Sequence, residues 1–247
     1  MVTPAGRNTR STSPTRATRN PFPMDESRAV RDADAFLAEL DILLQEALAR
    51  IGEGAKVPPG PQIGVKELLV VALKNEIEAS EEAAMWLVGE RDPELKLGLA
   101  RQCGDEAKHY RLIAERLREL GVDLSGHDPL AGGHSPMFRY LKSLETPAER
   151  IAAGPFAREA LAQVRNEVFA EFREAKGDQA TARLYRDIVG PDEVFHHELG
   201  RRMLRRYAVT SEDQDRARRA VARTLQIAEE LQEMQRLKQG ISSAPGC

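Results

Sequence analysis

Cysteines, aromatic residues and long hydrophobic runs are all scarce in this sequence. Of 247 residues, 5% are aromatic and 2 are cysteines, Cys103 and Cys247. Two cysteines so far apart form neither a disulfide framework nor a C-x-x-C motif, so we expect a reducing, cytoplasmic setting. The apolar stretch at residues 68–73 is soon followed by Lys74 and Glu76, so no membrane span is expected. No apolar segment typical of a secretory signal lies near the first residue.

The charge of the chain is nearly balanced, with 36 Lys and Arg against 39 Asp and Glu and a net charge of −3 at pH 7. This balance gives no reason to expect nucleic acid as the main partner. The high content of charged residues, with abundant Ala, Leu, Glu and Arg, favours an all-α protein. Residues 1–24 carry four arginines among Ser, Thr and Pro, and we predict a disordered basic tail there.

Apolar residues recur with a helical period over six long segments and one short one. Glycine and proline separate most of these segments. Gly154-Pro155 and Gly190-Pro191 are expected to break, kink or open the helices in which they lie. We predict helices at about 27–51, 65–88, 93–120, 136–145, 156–176, 179–208 and 211–239.

One short motif, D-E-x-x-H, occurs twice within predicted helices, at residues 105–109 and 192–196. A glutamate and a histidine three positions apart lie on one helix face, where both can contact the same metal ion or neighbouring ions. In each copy this pair interrupts an otherwise apolar stripe, where an unpaired charge is costly. The candidate ligands from the two copies are Glu106, His109, Glu193 and His196.

An Asn-Glu step lies about one hairpin upstream of each motif and supplies further candidate ligands. Glu76 interrupts the apolar face of the helix at 65–88, whereas Glu78, Glu81 and Glu82 are expected to form a solvated face. On the helix at 156–176 the ligand is less clear, because Glu159 and Glu171 are alternatives. We prefer Glu167, since it repeats the Asn-Glu step of Glu76.

Four buried carboxylates and two imidazoles suit a pair of divalent cations. The carboxylates neutralise the ions and offer hard oxygen ligands, and the set leaves positions open for a small molecule. Without metal, four inward-facing glutamates would be strongly destabilising. Asp105 and Asp192 are candidates for hydrogen bonds that fix the histidine tautomers. Cys103 is interpreted as a small core residue.

The two Asn-Glu steps and the two D-E-x-x-H motifs together resemble the ferritin-like di-iron carboxylate superfamily, which includes bacterioferritins and rubrerythrins. The resemblance covers roughly residues 65–208. It implies a ferritin-like four-helix bundle with a long crossover, extended by extra helices at both ends. We therefore expect one such domain at residues 25–240 and a disordered tail at 241–247.

The resemblance also implies roles for the candidate residues. Glu106 and Glu193 would bridge the two metals and act in catalysis, while Glu76 and Glu167 would be terminal ligands. One histidine would bind each metal. The ions implied are two irons, with manganese as the alternative.

The activity implied is that of a non-haem di-iron oxidoreductase that activates dioxygen or peroxide and oxidises or hydroxylates a small organic substrate. An external electron donor is expected, because no C-x-x-C pairs are present to hold a rubredoxin-like centre. The alternative is a ferroxidase or iron-storage protein without an organic substrate. A third reading is a scaffold whose carboxylates pair with Arg and Lys. The first and last predicted helices pack either on the bundle or on a second copy of the chain, so a homodimer remains an alternative.

Overall fold

The computed structural model describes residues 29–241 and 244–246, and all regular secondary structure in these ranges is helical. The predicted all-α class is confirmed. The described residues form α1 (Ala33–Ala55), α2 (Val65–Gly89), α3 (Pro93–Glu119), α4 (Pro136–Lys142), α5 (Pro147–Ile151), α6 (Glu159–Ala175), α7 (Gln179–Arg183), α8 (Gly190–Tyr207) and α9 (Ser211–Gln239). Two π-helical segments are π1 (Ala152–Arg158) and π2 (Leu184–Val189).

Side-chain caps explain where several helices begin. Asp32, Asp92, Thr146 and Thr210 each accept hydrogen bonds from the first free N–H groups of α1, α3, α5 and α9. Such caps satisfy donors that have no partner inside the helix. The first helix accordingly begins after Asp32 rather than at residue 27, and the predicted tail at 1–24 lies outside the described residues.

The two Gly-Pro steps do not interrupt the chain's helical course. The helix continues from α5 through π1 into α6, with Pro155 inside π1. It likewise continues from α7 through π2 into α8, with Pro191 in the first turn of α8. A wider π turn accommodates the missing proline donor, which makes the expected break before residue 156 wrong. Beside residues 192–196 a kink or an opened hydrogen-bond ladder was expected; the ladder is widened at Leu184–Val189, and residues 192–196 themselves lie in α8.

The helices enclose two apolar clusters with a polar layer between them. The first cluster includes Leu99, Phe156 and Met203, and the second includes Leu69 and Ile113. Along α3 and α8 the D-E-x-x-H residues fall between residues of the first cluster and residues of the second. The folded core therefore has its polar layer where the sequence stripes place the candidate ligands.

The approach of α8 to π1 depends on Gly200, one helical turn after His196. A Cβ at Gly200 would lie 2.6 Å from the backbone N of Phe156. Real side chains do not reach backbone that closely, so only glycine permits this packing. The contact fixes α8 against the segment that leads into α6.

Residues 244–246 are buried against the bundle, which corrects the predicted disordered tail at 241–247 for the part that is described. Asn75 donates from Nδ2 to the carbonyl of Pro245 at 3.0 Å, and the N–H of Gly246 donates to Oδ1 of Asn166 at 2.7 Å. Gly246 has a φ of +84°, which favours glycine. None of the described helices combines the length and apolar character that a bilayer crossing requires.

Candidate metal centre

Six buried side chains from four helices converge in the polar layer. Their donor atoms form two groups, within each of which all atoms lie no more than 4.8 Å apart. Glu106 belongs to both groups and therefore lies between two potential metal positions. One group is Glu76, Glu106 and His109, and the other is Glu106, Glu159, Glu193 and His196.

On α6 the residue that joins the cluster is Glu159 and not the preferred Glu167. Glu159 is completely buried, whereas the Glu167 side chain is 55% exposed and pairs with Arg186 at 3.2 Å. The structure thus corrects the preference for Glu167 and places the alternative considered beside it in the cluster. Glu171 also lies on the exposed side of α6. The other five predicted ligands are brought together.

A shift of one position in the helical stripe explains the error. The preferred Glu167 lies one position after Asn166, and the buried face of α6 passes through Glu159, Asn166 and Phe169. Adjacent positions on an α-helix differ by about 100° around the axis, so this shift turns Glu167 outward. In the sequence, the alternating spacing of three and four residues along this buried face was the pattern that could have indicated Glu159.

Each motif's aspartate binds the histidine of the other motif. Nε2 of His109 lies 3.1 Å from Oδ2 of Asp192, and Nε2 of His196 lies 3.2 Å from Oδ2 of Asp105. A carboxylate at Nε2 favours the proton there and leaves the Nδ1 lone pair free for a metal. Nδ1 of both histidines faces the glutamate cluster. The structure places both aspartates at the distance that the predicted hydrogen bonds require, and each aspartate faces the histidine of the other motif.

Two basic side chains form ion pairs with both aspartates. Lys108 Nζ lies 3.1 Å from Asp105 and 2.5 Å from Asp192, and Arg101 approaches the same two carboxylates at 3.2 and 3.5 Å. Hydrogen bonds from His196 and Lys108 outweigh burial and hold the pKa of Asp105 well below its usual value. Both aspartates therefore remain anionic acceptors for the imidazoles.

Several oxygens in the cluster lack a hydrogen-bond partner among the described residues. These are Oε1 of Glu76, Oε1 of Glu106, Oε2 of Glu159 and the hydroxyl of Tyr185. A buried polar atom without a partner is costly and calls for an explanation such as an ion. The oxygens and the inward Nδ1 atoms fit the donor set of a divalent metal site.

Protonation is strongly perturbed within the cluster. Burial, with the charges of Glu159 and Glu76, raises the pKa of Glu106 to about 8. Burial lowers the pKa of His109, but the hydrogen bonds that its Nδ1 donates to Glu106 and Glu76 outweigh burial and raise that pKa to about 12. The protein without metal thus holds protons where cations would otherwise balance the carboxylates.

Glu159 differs from Glu106 in that a glutamine donates a hydrogen bond to it and its pKa is lowered. Gln102 donates from Nε2 to its Oε1 at 2.7 Å. Burial opposes its ionisation, but the imidazole of His196, whose Nδ1 lies 3.6 Å from Oε2, attracts the carboxylate and lowers the pKa of Glu159 to about 2. Gln102 was not identified from the sequence, where nothing separates a buried glutamine from a solvated one.

A second buried ion pair flanks the cluster. Arg158, just before Glu159, hydrogen-bonds to the carboxylate of Glu82, and both side chains are buried. Glu78 is also buried and accepts hydrogen bonds from the N–H and hydroxyl of Ser135. The expected solvated face at Glu78 and Glu82 is therefore wrong, because each of these carboxylates has a partner from a distant segment.

Residues 244–246 form a wall beside the Glu76 side of the cluster. A Cβ on Gly246 would lie 3.3 Å from Oε1 of Glu76 and 3.2 Å from Cβ of Asn75. The asparagines that hold this wall, Asn75 and Asn166, are those of the two Asn-Glu steps. The repeated asparagine thus has a structural role that its spacing in the sequence did not indicate.

No protein-family model and no curated protein sequence matches this chain. A similar solved structure is a domain of unknown function with a heme oxygenase-like fold from Shewanella denitrificans OS217. It is 13% identical to this chain, with a TM-score of 0.58 over 86% of this chain and 97% of that one. The likeness shows a heme oxygenase-like, all-helical fold. In this chain the fold surrounds a buried cluster of carboxylates and histidines that could hold metal.

Proposed function

We propose that the polar layer holds two divalent metal ions, as in the ferritin-like di-iron carboxylate proteins. The observation that supports this most directly is the set of buried carboxylate oxygens that have no partner among the described residues. Glu76, Glu106 and His109 would hold one ion, and Glu106, Glu159, Glu193 and His196 the other. Iron is the first candidate, and manganese is the alternative, since oxygen and imidazole ligands suit both.

We further propose that the site is an oxidoreductase centre. When bound, two ferrous ions would supply electrons for reducing dioxygen or peroxide near a small organic substrate. Hydroxylation with dioxygen takes two electrons from the substrate and two from an external donor, and forms one water. The protein's own contribution is to hold the ligands rigidly and to exclude bulk water.

Tyr185 is the residue best placed to interact with a small molecule at the centre. Its hydroxyl is buried and lacks a hydrogen-bond partner among the described residues. Burial, together with the charges of Glu76 and Glu193, holds the pKa of Tyr185 well above its usual value. The phenol therefore stays protonated and can donate a hydrogen bond to an oxygen atom in the site.

Iron titration of matched glutamate variants tests the proposal. The metal-free protein is titrated with ferrous iron without oxygen and is then exposed to air, with iron content and absorbance measured. About two irons per chain are expected, with a new absorbance on exposure. Glu159→Gln should lose iron, whereas Glu167→Gln, on the exposed side of the same helix, should keep it.

Fewer than about one iron or manganese per chain in the wild type would refute the metal site. Equal iron binding by both variants would refute the assignment of Glu159. Light scattering of the loaded protein separates the two activities. A large cage would favour iron storage, while a monomer or homodimer would favour an enzyme.

A further inference from the structure

A cavity of about 380 Å³ lies beside the metal centre, between α2, the segment before α4, and α9. Asn75 and Ala244 line it, and these residues also belong to the wall in front of Glu76. The cavity is large enough for a small organic molecule. Asn75, which lines the cavity, directly precedes the candidate ligand Glu76 on α2.

The charged side chains that line this cavity are all basic. They are Lys74, Arg139 and Arg165, and no aspartate or glutamate is among the described lining residues. His134 also lines the cavity, but its Nε2 pairs with Glu81 at 2.8 Å. Arg139 donates to the carbonyl of His134, and Lys74 donates to the carbonyl of Gly133 at 2.5 Å. Carbonyl oxygens position these cations without cancelling their charge, so the potential inside favours an anion.

One carboxylate, Glu78, approaches Lys74 from outside the lining, at 3.8 Å. That carboxylate already accepts two hydrogen bonds from Ser135, at 2.7 and 2.5 Å. The distance to Lys74 exceeds that of a hydrogen bond, so the ammonium group retains capacity for a second anion.

The remaining wall of the cavity combines apolar side chains with the uncharged polar groups of Gln232, Gln235 and Gln239. Val71, Met137, Leu231 and Met234 contribute hydrocarbon and thioether surface. An apolar wall with a few fixed polar groups is typical of small-molecule sites, in which the polar groups orient the ligand. Methionine also adapts its shape to different ligands.

We propose that this cavity binds a small organic anion, a carboxylate or a phosphate ester, whose apolar body lies against the methionines. Lys74 and Arg139 bind its anionic group. Its role as the substrate site of the oxidoreductase rests on the proposed function, but anion binding does not require the metal. The wall at residues 244–246 separates the bound anion from Glu76.

Calorimetry on the metal-free full chain tests this binding with three probes that share one body. These are 4-phenylbutyrate, 4-phenylbutyl phosphate and the neutral 4-phenylbutyramide. We expect at least one anion to bind, and the amide to bind at least about tenfold more weakly. The anion that binds more tightly identifies the carboxylate or the phosphate as the preferred group.

Charge-removing variants locate the site. Arg139→Gln and Lys74→Gln should each weaken anion binding about fivefold or more and leave the amide unchanged. Lys142→Gln removes an exposed charge from the same short helix as Arg139 and should have no effect. Carbon-13 methyl spectra should shift for Met137 and Met234 and not for Met203, which lies in the core.

The proposal is overturned if neither anion binds at about 10 mM, or if the amide binds as tightly as the anions. It is also overturned if Lys142→Gln weakens binding as much as Arg139→Gln does, or if only Met203 shifts. Because the protein is metal-free, failure here is distinct from failure of the iron titration. Circular dichroism confirms that each variant remains helical.

Discussion

Nε2 of His196 lies 3.2 Å from Oδ2 of Asp105, although the two residues belong to different copies of the D-E-x-x-H motif. His109 and Asp192 make the reciprocal contact at 3.1 Å. Each aspartate therefore orients an imidazole on the opposite helix. The two halves of the centre are linked by their supporting hydrogen bonds as well as by the shared Glu106.

Asp105→Asn should weaken ferrous iron binding about 10- to 100-fold, because the amide no longer fixes the His196 tautomer as a carboxylate does. Anaerobic iron titration measures the affinity, and circular dichroism checks that the helices remain. Asp187→Asn, an exposed position on π2, is the matched control. Equal affinity in the two variants would contradict the tautomer role.

The stability of the metal-free protein should fall as pH rises from 7 to 8. The pKa of Glu106 is raised from 4.5 to about 8 and that of His109 from 6.5 to about 12, so the folded state binds more protons than the unfolded one. Stability then decreases with pH, by about 1 kcal/mol per pH unit or more. Chemical denaturation at each pH measures this slope.

Variants and metal separate this effect from general pH sensitivity. Glu106→Gln removes a titrating carboxylate and should flatten the slope, whereas Glu167→Gln, on the surface, should leave it unchanged. Loading with metal should reverse the sign, because metal binding needs deprotonated ligands and strengthens as pH rises. A metal-free protein whose stability rises over this window would contradict the protonation scheme.

Gly200→Ala should destabilise the protein by about 1–3 kcal/mol, because the new Cβ would overlap the backbone of Phe156. Gly104→Ala makes the same change on α3, where nothing lies within 4 Å of the added carbon. There the helix should gain up to about 1 kcal/mol. Urea unfolding of both variants measures the difference, and similar effects in the two would mean that the α8–π1 contact is loose.

Tyr185→Phe should leave the stability of the metal-free protein unchanged or raise it by about 1 kcal/mol, because it removes a buried hydroxyl that lacks a partner. Tyr140→Phe is the comparison, since that hydroxyl donates to the carbonyl of Ala220 at 3.4 Å. Its loss should lower the free energy of unfolding by about 0.5 kcal/mol. Thermal unfolding distinguishes them. A large loss of stability in Tyr185→Phe would reveal a partner that the hydroxyl does make.

The sequence predicted the all-α class and five of the six clustered side chains, because E-x-x-H spacing fixes neighbours on one helix face. It misassigned Glu167 because the repeated Asn-Glu step was weighed above the alternating spacing that runs through Glu159, Asn166 and Phe169. Glu82 was misread for another reason. Its partner, Arg158, comes from a segment 76 positions away, and pairing at that distance depends on how the helices pack.

The wall at residues 244–246 is synthesised after the cluster that it covers. Every residue of the metal cluster precedes residue 197, about 50 positions earlier in the chain. Because a ribosome adds about 5–20 residues per second, the ligands emerge seconds before the wall does. At the proposed metal centre, an ion that binds in that interval would meet a site still open beside Glu76, and one that binds later would have to pass residues held by Asn75 and Asn166. The order of synthesis completes the glutamate and histidine cluster before the residues that cover Glu76.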